Sequence, residues 1–514
     1  MGKIRLFRTV AGLRAYLGGQ PPGQTLSLVP TMGALHSGHL SLIRRALSET
    51  ELVVVSIFVN PLQFSPNEDF LRYPRQLEED CQICENLGVK VVFSPTPEEM
   101  GIVTDGDLHQ TTQIIPPKSM ISNLCGPFRP GHFEGVATIV TKLLTIVDPD
   151  VAYFGEKDAQ QLGIIRRLVT DLNLPVTIKG CPIIREPSGL AYSSRNQYLS
   201  EKERGQALGL FSALKQAQQA FKEGERDTQR LLEIVQQELT LYPGVKVQYL
   251  ELVDPQTLNP LETIDEAGLL AIAAYVGSTR LIDNIILKVR QPIIAIDGPA
   301  GAGKSTVTRL VAEALNLVYL DTGAMYRAIA WLVGKSEVSL DDQGAIAELV
   351  SNATLDFIPP TEGAPLQIYI NGEDVSEAIR TPEVTALVSQ VSAQAAVRAK
   401  LVSYQQDLGK QGGIVAEGRD IGTNVFPDAE LKIFLTASVA ERARRRWRDF
   451  QDHGDNMTLE QLEHDIQQRD YRDSHRSLAP LRQAVDAIEI NTDGLTIEEV
   501  TNKIIHFYQQ IIAY

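Results

Sequence analysis

Cysteine is scarce in this chain: four in 514 residues. That excludes a disulfide framework and suits a reducing compartment, so the sequence reads as cytoplasmic. Cys81 and Cys84 form a C-x-x-C. No second Cys or His pair has matching spacing, so two small apolar positions one turn apart in the segment over 77–87 is the reading favoured over a redox or metal pair. No apolar run reaches the ~18–20 residues needed to span a membrane, and Met1–Val10 lacks the continuous apolar core of a signal peptide. Positive charge is short too. Lys and Arg number 48 against 64 Asp and Glu, a net charge of −16. This argues against a broad footprint for nucleic acid and leaves room only for a local basic site. There is no internal repeat and no low-complexity tract. What remains is ordinary for a globular protein, 43% hydrophobic and 22% charged residues. The length predicts three or four compact units at the usual ~100–200 residues each.

Short, β-branched-rich runs alternate with helical patterns. Leu26–Val29, Leu52–Val59, Val89–Phe93 and Ile293–Ile296 read as buried strands, Leu40–Ser48 and Thr306–Leu315 as helices. The alternation predicts parallel α/β sheets. Thr279–Lys288 is a further strand-like run, interrupted by Gln291–Pro292. Ile293–Ile296 then leads into a glycine-rich loop, a common beginning for a nucleotide-binding domain. The main boundary is placed at about residue 290, with a linker of a few residues and no Gly/Ser tract.

That loop is the sharpest local signal. Gly298, Pro299, Ala300, Gly301, Ala302, Gly303, Lys304, Ser305 and Thr306 fit G-x-x-x-x-G-K-[ST]. Glycines let consecutive N–H groups turn toward phosphate oxygens, and the following helix presents its positive end to the same charge. Lys304 is expected on the β- and γ-phosphates and the Ser305 hydroxyl on Mg²⁺. A chance match on a glycine-rich turn would lack the strand before it and the helix after it. Downstream stand three Arg-bearing stretches: DTGAMYR from Asp321, EGRD from Glu417 and QRDYRDSHR from Gln468. The planar guanidinium fork suits phosphate.

Along nearly all of residues 293 to 510 these stretches, with NGEDVSEAIRT and VFPDA in order, resemble bacterial cytidylate kinase. The resemblance implies γ-phosphoryl transfer from ATP to CMP or dCMP on a P-loop nucleoside monophosphate kinase fold. It implies that Thr322, Arg327 and Arg419 hold the acceptor phosphate. Ser389, Arg398 and Asp473 would read cytosine and sugar, Arg476 would lie nearby, and Asp420 would stand by the reacting phosphates. The family often has Ser where this chain has Thr322, and the hydroxyl is kept. Family position also makes Arg442, Arg444, Arg445, Arg446 and Arg448 a mobile lid over ATP. The alternatives are a solvated basic helix face or a nucleic-acid patch.

In the first half, a buried strand runs into Pro30–Thr31–Met32–Gly33–Ala34–Leu35–His36–Ser37–Gly38–His39 and then a helix. Two imidazoles and free N–H groups at a helix start can hold a triphosphate and protonate a leaving pyrophosphate. A metal pair is the rival, but no carboxylate or Cys lies at ligand spacing beside them. Phe154–Gly155–Glu156–Lys157–Asp158 and Tyr192–Ser193–Ser194–Arg195–Asn196 add cationic and hydroxyl donors. Asn60, Gln63 and Gln161 are neutral amides suited to substrate hydroxyls, or else to capping loops.

Together PTMGALHSGHLSLI, SIFVNPLQF, RYPR, GPFRPGHFEGVATIVTKL, FGEKDAQQL, SSRNQYLS and RLIDN, in order over roughly residues 4 to 288, resemble pantothenate synthetase (pantoate–β-alanine ligase). The resemblance implies a Rossmann-like domain over 1–184 with a small α+β subdomain over 185–290, before the kinase over 291–514. It implies adenylation of pantoate by ATP, then displacement of AMP by β-alanine, with a homodimer formed through the first half. Met32 to His39 would cradle ATP, His36 and His39 neutralising the phosphates and His39 donating a proton. Gly155, Glu156, Lys157, Asp158, Ile184, Tyr192, Ser193, Ser194 and Arg195 would complete the nucleotide site, with Lys157 and Arg195 catalytic. Gln63, Gln161 and Asn60 would bind pantoate. In the kinase half, Lys304, Arg419 and Asp420 are the catalytic candidates. Two other readings compete: one domain as a silent scaffold or regulator, and a tRNA-charging first half. The charged residues named above argue against the first. The kinase, in the place of an anticodon-binding domain, argues against the second.

Overall fold

A computed structural model describes residues 4–64, 70–102, 112–336, 338–358, 366–453, 458–476 and 478–513. The chain divides into two compact units, Met1–Val289 and Arg290–Tyr514. Val289 N–H donates to Glu266 O in the first unit, and Gln291 N–H donates to Gln411 O in the second.

In the first unit, Arg5–Phe7 (β1), Leu26–Thr31 (β2), Leu52–Ile57 (β3), Val91–Phe93 (β4), Val151–Gly155 (β5) and Thr177–Cys181 (β6) form one sheet in the order β1-β4-β3-β2-β5-β6. All its pairs are parallel. β3 is LVVVSI, buried at every position, as a strand covered on both faces requires. It stops at Ile57, two residues short of the expected Val59. The chain moves from β2 through β3 to β4 on one side, then crosses to β5 and β6 on the other. The strand order therefore reverses between β2 and β5, the place where open α/β sheets bind ligands.

Val245–Val253 (β7), Ala267–Val276 (β8) and Thr279–Lys288 (β9) form an antiparallel sheet with β8 central. Alternation along β8 joins it to two cores. Leu269, Ala271 and Ala273 pack with the parallel-sheet core, whereas Leu270, Ile272 and Ala274 pack with residues of helices Glu201–Lys222 and Thr228–Leu239. A strand's period of two makes that division unavoidable.

In the second unit, Ile293–Asp297 (β10) is the centre of a parallel sheet with Val318–Asp321 (β11), Ile414–Gly418 (β15), Leu431–Thr436 (β16) and Ile488–Asn491 (β17). The order is β11-β15-β10-β16-β17. A small antiparallel sheet of Leu355–Ile358 (β12), Gln367–Ile370 (β13) and Glu373–Asp374 (β14) is inserted before β15. Its β13–β14 turn is Asn371–Gly372, both at positive φ, as a tight hairpin needs. Ile293 and Ala295 face the core of helix Thr322–Lys335, Ile294 and Ile296 that of helices Lys304–Leu315 and Ile497–Ala513. Among the described residues, no helix is long and apolar enough to cross a membrane.

Candidate active sites

The first site lies where β2 and β5 end. After Thr31 the chain turns through Gly33 (φ +81°) and Ala34 (φ +51°). The second is costly for a residue with a Cβ, and a buried acid holds the turn. Asp80, from helix Leu77–Leu87, accepts hydrogen bonds from Ala34 N–H at 2.9 Å and Leu35 N–H at 2.8 Å. Burial raises the Asp80 pKa against the pull of these bonds. Within the Met32–His39 stretch these two amides are thus already occupied. Met32, His36, Gly38 and His39 line the cleft; Gly33, Ala34, Leu35 and Ser37 stand behind it.

The imidazoles cap their own helix. His36 Nδ1 accepts from Gly38 N–H at 3.2 Å and His39 Nδ1 accepts from His36 N–H at 3.4 Å. The rings are 4.1 Å apart between centroids. With both Nδ1 atoms accepting, this pattern assigns the proton to each Nε2. Burial, aided by Lys157, lowers His36 to about 4. Burial, His36 and Lys157 lower His39 to about 3. Burial and neighbouring positive charge thus favour the neutral form of both rings. In this arrangement the pair presents N–H donors to the cleft, and Lys157 and Arg195 are cations on its wall.

β5 delivers Gly155, Lys157 and Asp158 to the opposite wall. Asn284 of β9 clamps this turn, its Nδ2 donating to Glu156 O at 3.0 Å and Lys157 O at 2.9 Å. The Glu156 side chain lies back toward Gly180 and Arg166, off the cleft wall. Asp283 receives both Arg185 nitrogens at 2.6 and 2.9 Å. β9 thus also anchors the segment that supplies Ile184, Tyr192, Ser193, Ser194 and Arg195 to the wall. Inside that segment Tyr192 N–H donates to Ile184 O, and Ser193 Oγ accepts from Arg195 N–H.

Of the three amides expected at pantoate, only Gln161 lines the cleft. Asn60 is a capping residue: its Oδ1 accepts from Leu62 N–H at 3.1 Å and its Nδ2 donates to Gly135 O at 3.2 Å. The backbone oxygen of Gln63 accepts from His132 Nδ1 at 2.7 Å and Arg129 Nη2 at 3.2 Å. Arg129 and His132 line the cleft, as do Tyr73, Tyr249 and Arg280. None received a role from sequence. Arg129 and His132 stand in the GPFRPGHFEG stretch and Tyr73 in RYPR, but nothing local says that they face the β2 loop. The cleft is a cavity of about 230 Å³, just under the ~300–1,000 Å³ of a typical ligand pocket. Elsewhere, Cys84 is buried in the core and its thiol is pushed up to about 12 by burial. Among the described residues, no cluster of three or more His, Cys, Asp or Glu could hold a metal.

The second site begins where β10 ends. Gly298 has φ +150°, and a Cβ there would lie 2.1 Å from Leu435 O, so only glycine fits. Gly301 and Gly303 are also at positive φ. The helix begins at Lys304, two residues before the expected Thr306. Lys304 is buried, its Nζ donates to Pro299 O at 2.8 Å, and burial with nearby Arg419 lowers its pKa. Ser305 Oγ donates to Glu417 Oε2 at 2.9 Å, and Thr322 Oγ1 to Glu417 O at 2.7 Å. Burial and neighbouring Asp321 raise the Glu417 pKa. Arg419 spans the site, from Gly298 O at 3.0 Å to Asp473 Oδ2 at 2.9 Å. Arg327 pairs with Asp321 at 3.2 Å.

Asp420 is held by cations beside the P-loop strand. Its carboxylate is committed to Arg398, to Arg476 at 3.3 Å and to Asn424 at 3.1 Å. Ser389 stands exposed on helix Pro382–Val391, and its backbone oxygen accepts from Ser392, whose own carbonyl accepts from Arg398. The basic run is divided. Arg442 is buried, bonded to Ala300 O of the P-loop at 3.2 Å and to both oxygens of Asp470. Arg445 is tied to Thr492. Arg442 is therefore tied to the phosphate loop, whereas Arg444 and Arg448 are exposed. Arg469, given no role from sequence, has its pKa lowered by burial and by Arg419. Concentrated positive charge of this kind suits a polyanion.

The Pantoate-beta-alanine ligase family model matches residues 5–286 and the Cytidylate kinase model residues 294–510. A Trichormus variabilis protein described as "Bifunctional pantoate ligase/cytidylate kinase" is 58% identical over 99% of this chain and 100% of its own. A Synechocystis protein of the same description is 59% identical over 99% of each. Among solved structures, pantothenate synthetase from Thermus thermophilus is 42% identical, covers 55% of this chain and 99% of its own, and has a TM-score of 0.51. With the two family models together matching nearly the whole chain, and relatives of this description aligned over 99% or more of both lengths, the chain belongs to the bifunctional pantoate ligase/cytidylate kinase family.

Proposed function

We propose that the two activities run at separate ATP-using sites, with the following division of labour. In the ligase cleft His36 and His39 donate Nε2–H to the phosphates. Lys157, Ser193, Ser194 and Arg195 stabilise charge as pantoate attacks the α-phosphorus and pyrophosphate leaves. Gln161 orients pantoate, and Asp158 meets the ribose or steadies Lys157. The amine of β-alanine then attacks the acyl carbon and AMP leaves. The substrate supplies the nucleophile in each step, so no side chain need become covalently bound. The observation that carries this reading is the convergence of His36, His39, Lys157, Gln161 and Ser193–Arg195 on one cleft at the strand reversal.

In the kinase site the 298–306 loop holds ATP, Lys304 and Arg419 meet the transferring phosphate, and Thr322 and Arg327 hold the acceptor phosphate of CMP or dCMP. Arg398, Asp473 and Arg476 shape the nucleoside side. Oxygen donors at Ser305 and at the Glu417–Asp321 pair fit Mg²⁺. Bound there, the ion would offset charge on the β- and γ-phosphates. We further assign the ligase to 1–290, with a subdomain from 185, and the kinase to 291–514. A cytoplasmic homodimer formed through the ligase is supported by the sequence resemblance.

Two variants test the scheme. Lys304→Ala should abolish CMP phosphorylation and spare pantothenate formation. His39→Ala should slow pantoate-dependent exchange of labelled pyrophosphate into ATP by about 10²-fold, yet spare β-alanine capture of synthetic pantoyl adenylate. Equal damage to both steps would remove His39 from adenylation.

A further inference from the structure

A polar knot lies behind the ligase cleft, and none of its members touches the wall. Glu49 ends the helix whose first turn carries His36 and His39. Its Oε1 accepts from Arg45 Nε at 2.9 Å, and its Oε2 accepts from Tyr153 OH at 2.8 Å and Lys179 Nζ at 2.5 Å. Arg45 also donates through Nη1 to Gly180 O at 2.8 Å. Lys179 and Arg45 hold the Glu49 carboxyl below the usual range despite its burial. Tyr153 is wholly buried, so its hydroxyl has this acid in place of water.

Each arm of the knot leads to a different wall. Arg45 lies six residues beyond His39, about 9 Å along the helix axis at ~1.5 Å per residue. Tyr153 is on β5, four residues before Lys157. Lys179 and Gly180 are on β6, which ends at Cys181 and passes directly into Pro182, Ile183 and Ile184 of the cleft. The histidine helix, the lysine turn and the Ile184 wall are thus joined at one carboxylate. We propose that Glu49 is a positioning residue for adenylation, holding the His36–His39 pair in register with Lys157 and Ile184. The proposal rests on the roles assigned above to those cleft residues. A purely stabilising contact could be made by any apolar filling of this space. A buried carboxylate with donors from three elements instead specifies one relative placement, and in-line attack at phosphorus is sensitive to displacements below ~1 Å.

The test is steady-state pyrophosphate exchange on the full chain. Glu49→Gln keeps the shape but faces an amide N–H₂ toward at least one donor. The kcat should fall about 10- to 100-fold, with the KM for ATP changed less than about threefold and CMP kinase activity retained. Tyr153→Phe, a milder variant, should lower kcat by a smaller factor, and the double variant should lose little beyond Glu49→Gln alone, as members of one network do. A folded Glu49→Gln protein with wild-type kcat overturns the proposal. So does a loss that merely follows the folded fraction measured by near-UV circular dichroism. If Glu49→Gln does not fold, Tyr153→Phe decides, and unchanged kcat there overturns the proposal equally. His39→Ala run in parallel separates the two failures. Full exchange activity in His39→Ala refutes the cleft assignment, whereas an impaired His39→Ala beside an active Glu49→Gln refutes only the role of Glu49.

Discussion

Arg398 and Asp420 form an ion pair in which both residues are 5% exposed. Arg476 and Asn424 approach the same carboxylate, so Asp420 is an anchor for cations. Removing one partner of a buried pair costs up to about 3–5 kcal/mol, less what Arg476 still offsets on the same carboxylate. Arg398→Ala should therefore lower the melting temperature of the kinase unit and is a poor test of specificity. Arg398→Lys keeps the charge but loses the planar fork. It should narrow the preference for CMP over UMP about 10- to 100-fold, the worth of one or two buried polar mismatches. Unchanged discrimination in competition assays would make Arg398 structural only.

The ligase histidines carry a pH signature. Unfolding would let each imidazole return to its ordinary pKa of 6.5, whereas in the folded chain His36 titrates at about 4 and His39 at about 3. Between these limits the unfolded chain binds more protons. Stability is therefore fully present above pH 6.5 and is lost as pH falls from 6.5 toward 4 and below. Thermal unfolding of the ligase unit should show this acid limb, and replacing both histidines by Gln should flatten it. An unaltered limb would place the titration elsewhere.

Asp80→Asn tests the turn before His36. An amide has one oxygen where the carboxylate has two, and its N–H₂ would confront either Ala34 N–H or Leu35 N–H. Leaving one buried donor unmet costs about 1–3 kcal/mol. Ligase turnover should drop with a raised KM for ATP, and CMP phosphorylation should be unchanged. Wild-type ligase kinetics in Asp80→Asn would show that the turn holds without this carboxylate.

Separating the chain between Val289 and Arg290 should give two folded fragments, each with one activity. The position of the cut matters. Arg290 Nη2 reaches Asp428 O at 2.8 Å and Glu430 Oε1 at 3.0 Å, and Gln291 N–H reaches Gln411 O. A kinase fragment beginning at Ile293 loses all three bonds and should melt several degrees below one beginning at Arg290, by differential scanning calorimetry. Equal melting temperatures would show that these residues do not brace the kinase.

Which turns carry the chemistry was already written in the order of the residues. The residues proposed to meet phosphate sit where a buried strand becomes a helix, and that pattern is local: 29–39 at the end of β2, 154–158 at the end of β5, 298–306 after β10. The boundary near 290 was legible for the same reason, because a strand feeding a glycine loop marks a new nucleotide fold. Folding alone settled which groups in those turns are free. Asp80 occupies amides 45 and 46 residues away; Asn60 caps its own turn and reaches Gly135; Arg442 is spent beneath the P-loop. The neutral form of His36 and His39 is favoured only because the fold buries them beside each other and Lys157. A side chain's capacity to donate, accept or ionise is written in its identity, but its partner comes from distant segments and its charge depends on how much water the packed chain leaves around it.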